Sequence, residues 1–151
     1  APLLFALLAA GADPAEAWQQ ALAIGRPLGL AFQLADDLLD VVGSSRNTGK
    51  PVGGDIREGK RTVLLADALA AAGTQDRQQL IDSFESDART DDQVAFVIAL
   101  FQSTGAVERS RNRIHALWLE SRAAIANLNL EPEAENHLIA ACARFVPENL
   151  R

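Results

Sequence analysis

The chain has 151 residues, enough for one domain with a sizeable core, and a net charge of −6, which argues against a nucleic-acid-binding protein with its basic face. It is 48% hydrophobic, rich in Ala and Leu and poor in aromatic and β-branched residues, a composition that favours helix throughout. The single cysteine, Cys142, cannot form an internal disulfide, so a packing role in a reducing compartment, the cytoplasm, is expected.

In chain order, residues 2–10 read as the end of a buried apolar helix stopped at Gly11. They look superficially like a signal-peptide core but lack its basic start and are too short to span a bilayer. With no methionine anywhere, the chain is expected to be a piece of something longer. Asp13 before Pro14 predicts an N-cap with proline at the first helical position, and Glu16 completes a start like a capping box. A central helix is predicted from Pro14 to about Val42. Pro27 removes the bond to the Ala23 carbonyl and should kink it, with Gly25 and Gly29 allowing close packing there.

This helix contains the stretch on which the functional reading turns, Phe32-Gln33-Leu34-Ala35-Asp36-Asp37-Leu38-Leu39-Asp40. At about 100° per residue, Gln33, Asp36, Asp37 and Asp40 fall within an arc of roughly 100°. Apolar residues cover the rest, which places the helix inside a protein. The acidic stripe then needs a wet cavity, cations or both. Two unit charges about 4 Å apart repel by about 4 kcal/mol at an effective dielectric of 20. A hard divalent cation such as Mg²⁺ turns that repulsion into attraction, because it takes oxygen ligands and retains waters. The alternative is a solvated face, where like charges one turn apart cost only a few tenths of a kcal/mol. The apolar surroundings favour the metal-facing stripe.

Residues 43 to 60 read as a loop, punctuated by Gly43, Gly49, Pro51, Gly53, Gly54 and Gly59. Gly54 to Arg61 has the glycine–lysine spacing of a P-loop. Arg61, however, stands where Ser or Thr is needed and no strand precedes it, so a nucleotide site is rejected. Lys50, Arg57, Lys60 and Arg61 form a candidate phosphate-binding set. Cations would bridge the carboxylates to diphosphate oxygens while the lysines neutralise the remaining charge. A solvated charged loop is the plainer reading.

Helices are then predicted over about 61–72, 75–87, 92–103 and 105–127, and from Pro132 onward. Val107, Ile114, Leu117, Trp118, Ile125 and Leu128 form the apolar side of the long one, with Arg109, Arg111, Arg113 and Arg122 as its wet face. In the last, Leu138, Ile139, Cys142, Phe145 and Val146 are expected to be buried. Asp91-Asp92 has Ala95 where a third aspartate would complete the spacing, so the pair reads as charge at a helix N-terminus. His115 and His137 have no ligand-spaced partner, which disfavours zinc. There is no strand pattern or repeat, so the fold class is all-α.

The order Phe32-Gln33-x-x-Asp36-Asp37-x-x-Asp40, Gly49-Lys50, Gly54-Asp55-Ile56, Gly59-Lys60 resembles the second aspartate-rich region of the trans-isoprenyl diphosphate synthases. The match runs over about residues 25–69, and the run from Gly53 to Leu64 is similar to bacterial short-chain members. The resemblance implies a helical bundle around a deep cavity, a homodimer, and Mg²⁺-dependent condensation of isopentenyl diphosphate with an allylic diphosphate. It implies Asp36 as a direct Mg²⁺ ligand, with Asp37, Asp40 and Asp55 holding the same cluster largely through water. It implies contacts from Lys50 and Lys60 to the allylic diphosphate, and Phe32 and Gln33 lining the reacting end of the prenyl chain. The family's first aspartate-rich motif and its isopentenyl diphosphate grip are not in these residues. Residues 1–151 are therefore expected to be the C-terminal half of such a domain, inactive alone. Two other readings remain: a non-catalytic or regulatory subunit of the same fold, and an unrelated helical module that binds a divalent cation.

Overall fold

A computed structural model of the chain describes residues 2–43 and 52–151, and every regular element in them is helical. The elements are α1 (Pro2–Ala9), α2 (Pro14–Val42), α3 (Gly54–Glu58), α4 (Val63–Ala71), α5 (Thr74–Glu85), α6 (Asp91–Ser103), α7 (Ala106–Ala126), α8 (Pro132–Ala143) and a closing 3₁₀ turn, Glu148–Leu150. They group into two units, Ala1–Gln33 with Arg113–Arg151, and Leu34–Asn112. The expectations for Gly49, Lys50 and Pro51 fall outside the described residues.

The long helix α2 begins as its sequence dictates. Asp13 Oδ1 accepts the amides of Ala15 and Glu16 at 3.0 and 3.1 Å, satisfying donors that a helix start leaves open. The Glu16 carboxylate turns along the helix and accepts Gln20 Nε2 at 3.1 Å. Pro27 lies buried inside the helix, which runs unbroken across it. The buried side of α2 carries Ala17, Ile24, Ala31 and Leu38 at seven-residue spacing, joined by Pro27 and, toward the C-terminal end, by Ala35, Asp37 and Val41.

In the first unit the core is Ala17, Ile24 and Ala31 with Ile114, Trp118, Ile125, Cys142, Val146 and Leu150. Fully buried Ser121 donates its hydroxyl to the Ile24 carbonyl at 3.2 Å, pinning α7 to α2. Burial pushes the Cys142 thiol above its ordinary pKa, consistent with a packing cysteine. Three expectations are corrected here. Helix α1 contains no buried residue, and Phe5 is 72% exposed. It is apolar all round and needs partners on every side, which the described residues do not supply. The central helix is likewise not enclosed, because Trp18, Leu22, Leu30 and Phe32 stand exposed away from its buried side. Phe145 is half exposed, meeting the Phe32 ring edge-on at 6.2 Å, while Leu138 and Ile139 are half-buried.

In the second unit α6 packs against α3, α4 and α5. Its start is a full capping box: the Thr90 hydroxyl accepts the Gln93 amide at 3.3 Å and Gln93 Oε1 accepts the Thr90 amide at 2.9 Å. Val94, Val97, Leu100 and Phe101 fill the core with Leu64, Leu65, Ala68, Leu80 and Phe84. Arg109, expected on the wet face of α7, instead folds back to the carbonyls of Thr104 and Asp67, each at 3.0 Å, close to the Asp67 carboxylate. It closes the open end of α6 and ties it to α4.

Candidate active site

The segment expected to be a plain loop contains α3, five residues long, too short to hold a helix by its own propensity. Tertiary contacts hold it at both ends. At its start Asp40 acts from α2: Oδ1 accepts the Gly54 amide at 3.1 Å and Oδ2 the Asp55 amide at 3.0 Å, while the Asp40 carbonyl accepts Gly53 N–H at 2.8 Å. A carboxylate on two first-turn amides is the arrangement a helix N-terminus favours. Gly53 makes the approach possible, with a φ of +81° and Val94 Cγ1 only 2.5 Å from where a Cβ would sit. At its end Gly59, with a φ of +75°, is the left-handed cap.

Arg57, expected to serve phosphate, is used internally. Its Nη1 donates to the Val52 carbonyl at 3.0 Å and Nη2 pairs with the exposed Asp91 carboxylate. Asp91 thus has a partner 34 residues away besides its place in the first turn of α6. Arg61 is exposed and lines a cavity of about 310 Å³ with Leu65, Leu80 and Phe84.

Lys60 returns to the acidic helix. Its ammonium donates to Asp37 Oδ1 at 2.7 Å and to Asp55 Oδ2 at 2.8 Å. These contacts hold the ammonium charged well above the usual lysine range, the bond to Asp37 counting most and that to Asp55 next. Asp37 is buried and its side chain is 10% exposed, so the pair with Lys60 is how that carboxylate is tolerated there. Asp40 is half-buried. Burial pushes its carboxyl above the ordinary value, and the charge of Asp55 adds to this against the pull of the Asp55 and Gly54 amides and of Lys60. Asp36 lies exposed on the same helix, one turn before Asp40. The structure therefore brings Asp37, Asp40, Asp55 and Lys60 together. Phe32 and Gln33 are exposed on α2 within the other unit.

A family model for polyprenyl synthetase matches residues 1–101. The chain belongs to the polyprenyl synthetase family. The chain is 40% identical over 126 residues to a short chain isoprenyl diphosphate synthase of Methanothermobacter thermautotrophicus, a match covering 82% of this chain and 37% of that protein. Among solved structures it is similar to a geranylgeranyl pyrophosphate synthase of Corynebacterium glutamicum complexed with isoprenyl diphosphate and magnesium. That likeness has a TM-score of 0.78 at 35% identity and covers 90% of this chain and 38% of the other. A decaprenyl diphosphate synthase of Rhodobacter capsulatus gives a TM-score of 0.81 at 29% identity, over 98% of this chain and 45% of that one. The chain thus spans less than half the length of these polyprenyl synthetase relatives.

Among the described residues no three His, Cys, Asp or Glu side chains gather into a ready-made metal cage. Mg²⁺ does not require one, since it keeps several waters and takes one or two carboxylates together with substrate phosphates. Exposed Asp36 and half-buried Asp40, one helical turn apart, are hard oxygen donors that suit that pattern. No helix among the described residues is long and apolar enough to cross a membrane.

The residues that sequence reasoning missed are those that hold α3. The cap made by Asp40 is invisible in the aspartate-rich motif itself. The two glycines flanking Gly54–Glu58 were the available signal, since glycine just past a short polar run marks a helix end.

Proposed function

We propose that residues 1–151 form the C-terminal half of a prenyl diphosphate synthase domain. The protein that carries them condenses isopentenyl diphosphate with an allylic diphosphate, with Mg²⁺. The observation that carries this reading is the Lys60 ammonium seated between Asp37 and Asp55, beside a helix start held by Asp40. That arrangement sits in a chain of the polyprenyl synthetase family.

In this reading the allylic diphosphate ionises by breaking its carbon–oxygen bond, and diphosphate leaves with the electron pair. The double bond of isopentenyl diphosphate attacks the allylic cation, and loss of a proton gives a longer prenyl diphosphate. Bound Mg²⁺ supplies positive charge that stabilises the departing diphosphate. Asp36 would hold the metal directly, and Asp37, Asp40 and Asp55 would hold it mainly through water. Lys60 and Lys50 contact the diphosphate oxygens, and charge on the leaving group develops toward them. Phe32 and Gln33 line the reacting end of the prenyl chain.

A second set of carboxylates is needed to hold the metal from the other side, and residues 1–151 do not contain it. Alone, they form no product. The test is to assay the full-length protein with isopentenyl diphosphate and allylic diphosphates of graded length. A chain-length-dependent prenyl product is expected. No product from any allylic partner would overturn the proposal in favour of a non-catalytic member of the fold.

A further inference from the structure

Between α5 and α6, Arg89 makes contacts that the reaction does not by itself call for. Its Nη1 donates to the Arg57 carbonyl at 3.2 Å and its Nη2 to the Phe84 carbonyl at 3.0 Å. Both carbonyls lie in the last turn of their helices, α3 and α5, where no further helical amide is available to them. One guanidinium thus closes two helix ends. It also lies over the Phe84 ring, 5.3 Å from the centroid, a favourable place for a cation.

The guanidinium is seated against Gly59. A Cβ at that position would come within 2.7 Å of Nη2 and 3.1 Å of Cζ and Nη1. Arg89 Nε is buried with no hydrogen-bond partner, so the side chain is held in this place by its two terminal nitrogens and its stacking. The backbone leaving Gly59 is equally constrained: Gly59 N–H donates to the Ile56 carbonyl at 3.0 Å and Lys60 N–H to the Asp55 carbonyl at 2.9 Å. From that turn the Lys60 side chain reaches Asp37 and Asp55.

We propose that Arg89 is a positioning residue for the Lys60 ammonium: it fixes the Gly59 turn on which Lys60 stands and so sets the positive charge offered to a diphosphate. The diphosphate part rests on the function proposed above; the positioning part does not. Arginine is required because a planar fork reaches two carbonyls at once, which the single ammonium of lysine does not reproduce.

The chain has only two lysines, Lys50 and Lys60, so ¹⁵N-edited spectra of its lysine ammonium groups contain two signals, assigned by Lys50→Arg. Arg89→Lys and Arg89→Ala are expected to move the Lys60 signal toward that of a solvated lysine. They should also weaken Mg²⁺-dependent binding of a bisphosphonate about tenfold, with the helical circular dichroism retained. Gly59→Ala, which drives a methyl group into the guanidinium, should move the same signal, and it answers the question if the Arg89 variants do not fold. A Lys60 signal unchanged in any folded variant of either kind overturns the positioning role. Absence of bisphosphonate binding by the wild-type chain, with the signal still moving, counts against the diphosphate reading and leaves the positioning role standing.

Discussion

Replacing Gly53 with alanine tests how tightly α3 is seated. Two separate costs arise. An L-residue at a φ of +81° loses about 1–2 kcal/mol to the contact between Cβ and the carbonyl. The new methyl also meets Val94 Cγ1 at 2.5 Å and Ile98 Cδ1 at 3.4 Å, inside a packed core, where overpacking costs about 1–3 kcal/mol. The sum is about 2–5 kcal/mol. Gly11→Ala is the control: its φ is +86°, yet nothing lies within 4 Å of its Cβ position, so only the first cost of about 1–2 kcal/mol applies. Urea unfolding followed by far-ultraviolet circular dichroism gives both values. The double variant Gly53→Ala/Val94→Ala should recover about 1 kcal/mol or more relative to the sum of the singles, because the clash is shared. If Gly53→Ala is no more destabilising than Gly11→Ala, then α3 is not pressed onto Val94 and the account of its seat is wrong.

Three other outcomes follow from the same unit. Thr90→Ala removes half of the capping box and should cost about 1 kcal/mol of unfolding free energy, measured the same way. Asp40→Asn keeps one acceptor but turns an amide nitrogen toward the other α3 amide, which costs about 1–3 kcal/mol, partly offset by removing a buried charge. Its pH dependence has a definite sign. The folded pKa of Asp40 is raised above 3.8, so the native state binds the proton more readily and the group's contribution is full below 3.8 and lost as pH rises through the folded value. Wild type should therefore gain on Asp40→Asn as pH falls from neutrality, and unfolding midpoints in chelator that diverge the other way would contradict the burial argument. For Lys60 the folded pKa is raised above 10.5, so its contribution is present below 10.5 and fades as pH climbs through the higher folded value. Lys60→Met should lose stability near neutrality and lack the alkaline fall in that window that wild type shows.

Much of the fold was legible because helix starts and stops are local. Asp13-Pro14, Asp91-Asp92 and Glu131-Pro132 each mark a helix start within a few residues, and all three open helices where expected. Burial was less legible. Phe5, Phe32 and Phe145 are apolar, but whether they are covered depends on partners far away in sequence. The site divides in the same way. The spacing of Asp36, Asp37 and Asp40 could be placed on one face from periodicity alone. That Asp40 serves as a cap, that Arg57 turns to Asp91, and that Arg109 turns to Asp67 all depend on contacts between residues 14 to 42 positions apart, which no local pattern encodes.

The electrostatics of the cluster decide the order in which ligands can enter it. Among the described residues, the carboxylates of Asp37, Asp40 and Asp55, with Asp36 exposed one turn before Asp40, stand against the Lys60 ammonium, while Arg57 is paired with Asp91. A diphosphate approaching that group meets net negative charge, and each unit pair about 4 Å apart repels by about 4 kcal/mol at an effective dielectric of 20. Lys60 offsets only part of this, because two carboxylates already share it. In the function proposed above, the metal therefore comes before the diphosphate or with it. Titration calorimetry with a bisphosphonate should show binding in millimolar Mg²⁺ and none in chelator. Asp36→Asn, which removes one exposed charge, should weaken the Mg²⁺-dependent binding rather than permit metal-free binding. Equal affinity with and without Mg²⁺ would mean that the acidic face is simply solvated and that the diphosphate, if it binds, is held elsewhere.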